Sequence, residues 1–197
     1  HFWLGEIDFA KGRFSSAVQH FEAYLAKPTQ AGEANQTNGK YNLGYSLLRL
    51  EEYKQASNVF GQLKNSAFTS VQQQLDVSLR LADSYFMLKD FGKASPLYSE
   101  VAAKRGYGAD YALFQLAMIL GAQNKPAEKI STLRSIGSLY PNSNWVGNAN
   151  MEIADTYLAD EKYFLRPLGT EGQGSSLFPD RAPYSTMAFC IPMGVGI

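Results

Sequence analysis

Residues 43–60 read LGYSLLRLEEYKQASNVF. Leu43, Gly44, Leu47 and Leu48 fall at the spacing of one helical face. The stretch Arg49-Leu50-Glu51-Glu52 then makes a turn, after which Tyr53, Ala56 and Phe60 give a second helix with aromatic, small and aromatic residues on one side. Such a hairpin has more apolar surface than its two helices can cover, so it needs neighbours.

The chain supplies them. Aligning the Leu-Gly pair gives five copies, led by Leu4, Leu43, Leu81, Leu116 and Ile153, at intervals of 35 to 39 residues. Leu4-Gly5 leads to Gly12, Phe14, Ala17 and Phe21, and Leu81-Ala82 leads to Tyr85, Phe91, Ala94 and Tyr98. Leu116-Ala117 leads to Leu120, Leu133 and Pro141, and Ile153-Ala154 leads to Tyr157 and Tyr163. Small residues at these positions let two helices approach closely, and aromatic rings fill the space toward the next hairpin. Units stacked in this way touch mainly their neighbours.

On these residues the chain resembles the tetratricopeptide-repeat family, and the best single copy is LGEIDFAKGRFSSAVQHF at the start. The resemblance covers residues 1–164, as about four and a half repeats. It implies an all-α, right-handed superhelical solenoid of antiparallel helix pairs. The spacing exceeds the family's usual length of about 34. Pro28-Thr29-Gln30, Asn38-Gly39 and Arg105-Gly106-Tyr107-Gly108 are read as the loops or helix ends that hold the excess. Spacers of this kind and the Tyr140-Pro141-Asn142-Ser143 closure are similar to bacterial cell-envelope members, which places the protein in a periplasmic or envelope setting ahead of a cytoplasmic one.

Lys+Arg and Asp+Glu both number 18, so no net field draws in nucleic acid or an anionic membrane. No segment approaches the roughly 18 consecutive apolar residues that a membrane span needs. The chain starts at His1-Phe2-Trp3, within a helix, and is read as a fragment of a longer protein. The single cysteine, Cys190, makes no intrachain disulfide.

Several positions carry specific expectations. Gly12 takes the left-handed conformation between helices. Trp3 packs with Leu4 and Ile7, and His20 is a helix-surface residue. Pro96 either kinks the second helix of the third unit or delays its start. Pro126 suits a helical first turn. Lys129 stands where other units have alanine, so Ala127 or Ile130 takes over its contact. Residues 165–197 form an irregular tail with four prolines, five glycines and no helical period. It is read first as extraneous to the repeat protein, with a native cap and a groove-bound segment as alternatives.

No GxSxG, HExxH, CxxC or phosphate-binding glycine loop occurs. His1 and His20 are the only histidines, so the sequence offers neither a histidine triad nor a zinc set. Solvated surface is the default for its carboxylates. The reading is a protein-binding scaffold, not an enzyme, with no cofactor and no metal implied. The family lines its concave groove with the first helix of each unit. Carried across, that groove presents Phe9, Tyr41, Tyr45, Arg49, Asp83, Phe86, Met87, Tyr111, Phe114, Met118, Met151 and Asp155. About half of these are expected in the core. Aromatics and methionine suit a broad adaptable contact with a protein or peptide. The family's clamp for a terminal carboxylate needs a basic set that this chain lacks, Arg49 standing nearly alone. The alternative is a structural spacer within a larger array, and the unfinished last unit leaves an apolar end for end-to-end or tail-mediated self-association.

Overall fold

The computed structural model describes residues 1–27, 35–64 and 70–164, with side chains described through 159. Among these residues the structure is helical throughout. Four hairpins follow one another: α1 (Phe2–Ala10) with α2 (Phe14–Leu25), α3 (Gln36–Arg49) with α4 (Tyr53–Lys64), α5 (Val71–Met87) with α6 (Phe91–Ala103), and α7 (Ala109–Ala122) with α8 (Pro126–Leu139). A long helix, α9 (Trp145–Phe164), packs on α8. No described helix is long and apolar enough to cross a membrane. Residues 28–30 and 165–197 lie outside the described residues, and so do the expectations placed on them.

Every helix packs on the next in chain order. The first helices of successive hairpins also meet, α1 with α3, α3 with α5, and α7 with α9, whereas second helices make no comparable contact among the described residues. Close on one side and splayed on the other, the stack curves with its first helices inside.

All four hairpin turns use one backbone device. The amides of Arg13, Glu52, Asp90 and Lys125 reach back to the carbonyls of Asp8, Leu47, Tyr85 and Leu120, at 2.8, 2.9, 2.9 and 3.0 Å. The residue before each of those amides takes a positive φ: Gly12, Glu51, Lys89 and Asn124. This is the helix stop in which a left-handed residue lets the final carbonyls find donors. Gly12 meets it as expected. The other three adopt it without glycine, against the steric cost that a side chain brings there.

Packing within the hairpins rests on missing side chains. A Cβ placed on Gly44 would lie 2.6 Å from Phe60 Cζ, and one on Gly5 would lie 2.7 Å from Phe21 Cε1. Phe21 and Phe60 are fully buried, as are Ala17 and Ala56 beside them. In the third and fourth hairpins Ala82, Ala94 and Ala117 fill the same role.

Several expectations are corrected. Of the two readings for Asn38-Gly39, the helix end is the one found: both lie in the first turn of α3, where the Asn35 side chain accepts from the Asn38 amide at 2.8 Å and caps the helix. Gly39 is there because the Tyr24 ring lies 3.0 Å from where a Cβ would sit. Trp3, Leu4 and Ile7 do share a face, but it is open, Trp3 being 57% exposed with its ring edge-on to Phe2. Pro96 does not delay α6, which starts at Phe91 behind an Asp90 cap. Lys129 keeps its hairpin closed in an unexpected way. Its Cδ would lie 3.1 Å from a Cβ on Gly121, so its aliphatic stem packs over glycine, while Nζ reaches Glu152 of α9 at 2.7 Å. Ile130 is buried and Ala127 exposed. Pro126 opens α8 as the sequence predicts.

Gly44→Ala sets two effects against each other. Alanine gains about 1 kcal/mol over glycine in a helix, and overpacking a closed core costs about 1–3 kcal/mol. Against the Phe60 ring the second wins, so urea unfolding should show a net loss of stability. Pairing it with Phe60→Leu should cost less than the two single changes added together.

Candidate functional site

Helix α5 lies between α3 and α7 and carries a polar row through an otherwise apolar segment. Asp76, Arg80 and Asp83 follow at spacings of four and three, which puts them on one face. All three are buried, at 2, 1 and 0% exposure. Arg80 donates from Nε to Asp76 Oδ1 at 3.3 Å and from Nη1 to Asp83 Oδ2 at 2.6 Å. Five tyrosines complete the shell. Tyr98 of α6 and Tyr111 of α7 each donate to Asp83 Oδ1 at 2.7 Å. Tyr41 donates to Asp76 Oδ2 at 2.7 Å, Tyr45 donates to the same oxygen, and Tyr107 reaches Oδ1 at 3.3 Å. The guanidinium carbon lies 5.8 Å from the centroids of both Tyr45 and Tyr111.

This cluster ties three consecutive first helices together and reaches one second helix. Burial works against the Arg80 charge, but Asp83, Tyr45 and Asp76 outweigh it and hold the guanidinium well above its ordinary value. Burial pushes the Asp83 carboxyl up, opposed by Arg80 and by the two phenol hydrogen bonds. Tyr45, Tyr98 and Tyr111 are pushed well above the usual phenol range, first by burial. Two carboxylates thus face one guanidinium. Tyr107 also lies against that guanidinium, yet Nη2 has no acceptor in bonding geometry.

The twelve residues named from the sequence divide by burial. Tyr45, Asp83, Phe86, Tyr111, Phe114 and Met118 are buried. Phe114 stacks at 4.8 Å on Trp145, which joins α7 to α9. Phe9, Tyr41 and Met87 are half-buried, and Arg49, Met151 and Asp155 are exposed. Arg49 lies over the Phe14 ring at 4.9 Å, toward the first hairpin. The structure brings Tyr41, Tyr45, Asp83 and Tyr111 into the α5 cluster. Asp83 is no solvated carboxylate; the deepest acid of that cluster, it is held by Arg80 and two phenols. Arg80, Asp76 and Tyr107 were missed by sequence reasoning. The available signal was the Asp-x3-Arg-x2-Asp spacing, which falls on a helix otherwise rich in leucine. Among the described residues no group of three or more His, Cys, Asp or Glu could hold a metal.

Removing the guanidinium leaves two buried carboxylates without their cation, a change that costs about 3–5 kcal/mol. Arg80→Met should therefore unfold at much lower urea concentration than the parent. A second outcome concerns pH. Because the Asp83 carboxyl is raised in the folded state, its contribution to stability is complete below its ordinary value and is lost as pH rises through the folded value. Compared with Asp83→Asn, the parent should lose urea stability as pH is raised through that window. A relative gain would show that the carboxylate is favoured by its surroundings.

The comparisons with known proteins agree with this architecture. Residues 111–143 match the family model of the tetratricopeptide repeat. No curated protein matches the sequence. Among solved structures, the chain is similar to a putative kinesin light chain from Podosopora anserina with nearly identical TPR-like repeats. That match has 16% identity and a TM-score of 0.65, covering 82% of this chain and 85% of the other. MamA AMB-1 matches at 19% identity and a TM-score of 0.58, over 81% and 80%. YrrB, described as a TPR protein with an unusual peptide-binding site, matches at 17% identity and a TM-score of 0.57, over 80% and 74%. At these identities the likeness is one of fold. Residues 111–143 carry the pattern of the tetratricopeptide repeat, and the chain shares the helical-solenoid fold of TPR-like proteins.

Proposed function

We propose that the protein is a binding scaffold that holds a segment of a protein partner against the inner face of its first helices. The observation that carries this reading is the division among the inner residues. The core consumes Tyr45, Phe86, Tyr111, Phe114 and Met118, while Phe9, Tyr41 and Met87 still reach the surface beside them. Half-open aromatics and a methionine on a rigid curved support make an adaptable contact at small entropic cost. The unusual peptide-binding site of YrrB lends this reading support by analogy of fold alone. A bacterial envelope-assembly setting is the context we propose, on the loop style and the Tyr140–Ser143 closure.

A spacer role within a larger array is the competing reading. The open apolar faces favour it: Trp3, Leu4 and Ile7 on α1, and Met151, Tyr157 and Leu158 on α9. Contacts through those ends would join copies or neighbouring repeats and leave the groove empty.

Partner capture separates the two. Tyr45 and Phe114 are too deeply buried to serve as test positions, so the informative variant is Phe9→Ala with Met87→Ala in the full chain. Recovery of partners from cell extract should fall at least about five-fold, a loss of about 1 kcal/mol or more, with the thermal transition retained. An outer-face control, Lys54→Ala with Asn58→Ala on exposed positions of α4, should recover them unchanged. Equal recovery by the inner-face variant would contradict the groove reading.

A further inference from the structure

We infer that the partner segment held on the inner face carries a lysine or arginine, seated where α3, α5 and α7 meet; this rests on the groove reading above. The α5 cluster holds two carboxylates, Asp76 and Asp83, against one guanidinium, Arg80, and all three are buried. Its excess charge is negative and lies in a low-dielectric setting, where an approaching cation gains more than it would in water. Two members of the shell reach the surface, Tyr41 and Tyr107. Both hydrogen-bond Asp76, so the outer rings of the cluster are backed by a carboxylate. A cation set on such ring faces gains a cation–π contact as well as the charge behind it.

The surroundings agree in sign. Toward the later hairpins the first helices add Asp110, half-buried, and Asp155, exposed. Among the residues whose side chains are described, the inner-helix cations besides Arg80 are Lys40 and Arg49 of α3, and Arg49 is turned to Phe14 at the first hairpin. The seat for a basic residue is therefore between α3 and α7, away from that end. On the outer helices charges of both signs lie at the surface, Lys64 of α4 being paired with Glu100 of α6 at 2.5 Å, and among the described residues no buried pair of carboxylates stands behind them. An acidic segment fares worse on the inner side, because Arg80 already faces two carboxylates.

Three fluorescein-labelled synthetic peptides test this, equal in length and apolar content and differing only in bearing Lys, Gln or Glu at the same positions. Anisotropy titrations of the full chain should rank them Lys, then Gln, then Glu. The Lys peptide should bind at least about ten-fold tighter than the Glu peptide, a gap of about 1.4 kcal/mol. That gap should narrow between about 50 and about 300 mM salt as screening increases. Asp76→Asn, which removes the charge behind Tyr41 and Tyr107, should lower the Lys-over-Gln preference several-fold, with circular dichroism confirming the fold. Gln or Glu peptides binding as tightly as Lys, with binding still lost in the Phe9→Ala, Met87→Ala variant, would overturn the charge inference and leave the groove reading standing. Binding that survives that inner-face variant would count against both, as would failure of all three peptides to bind.

Discussion

The first two hairpins of this chain close only because an aromatic ring can reach the backbone of the opposite helix. At Gly5 and Gly44 the rings of Phe21 and Phe60 occupy the space that a methyl group would need. Where alanine replaces glycine, at Ala82 and Ala117, both residues are still wholly buried. The same constraint acts between hairpins, since Tyr24 and Leu25 of α2 press on Gly39 of α3, and the glycine that looks like a loop signal is a packing residue. Lys129 tests the rule from the other side. A long charged residue is admitted because Gly121 leaves room for its stem and Glu152 takes its charge, so amphipathic side-chain chemistry substitutes for a small residue.

The stack is not one uniform apolar core. Phe2, Phe21, Leu43, Phe60 and their neighbours form a cluster that ends on Val77 and Leu81 of α5, and a second cluster begins on Leu75, Leu79, Ala82 and Phe86 of the same helix. Between these two faces run Asp76, Arg80 and Asp83. Buried charge of this kind is poor evidence of stability, because desolvation offsets much of the attraction. Its geometry is more informative. Hydrogen bonds from Tyr41 and Tyr45 on one side, and from Tyr107 and Tyr111 on the other, have direction, so they fix how α3 and α7 sit against α5. Apolar packing alone would tolerate some sliding of one repeat on the next. The spacing of the first helices, and with it the shape of the inner face, is set here.

Most of the fold could be read in the residues because the repeat is enforced by sterics, and sterics select residue types: small at the close approach, aromatic opposite, proline at Pro126 where a helix begins. The turn at residues 49–52 was legible without glycine, but the left-handed conformation within a turn was legible only at Gly12. Glu51, Lys89 and Asn124 adopt the conformation of Gly12 under the pull of the hairpin, and nothing in their chemistry announces it. The site was legible to a smaller degree. Position within the repeat singled out Tyr41, Tyr45, Asp83 and Tyr111, but it could not say that they meet, since their partners lie 28 to 35 residues away in the chain. Arg80 was invisible for a related reason. A lone arginine on a helix looks solvated until two acids of its own helix and the tyrosines of its neighbours are placed around it.

Burial of half the candidate groove residues gives the scaffold its rigidity, and partial exposure of Phe9, Tyr41 and Met87 gives it a surface to offer. The claim joining these halves is that a partner lies along the first helices, on the inside of the curve. Methionine-methyl NMR of the full chain, titrated with a captured partner segment, tests it most directly. The account predicts that the Met87 methyl shifts strongly, being half-open at the end of α5, while the buried Met118 moves little. Saturable binding that leaves Met87 unmoved would place the partner elsewhere and contradict it.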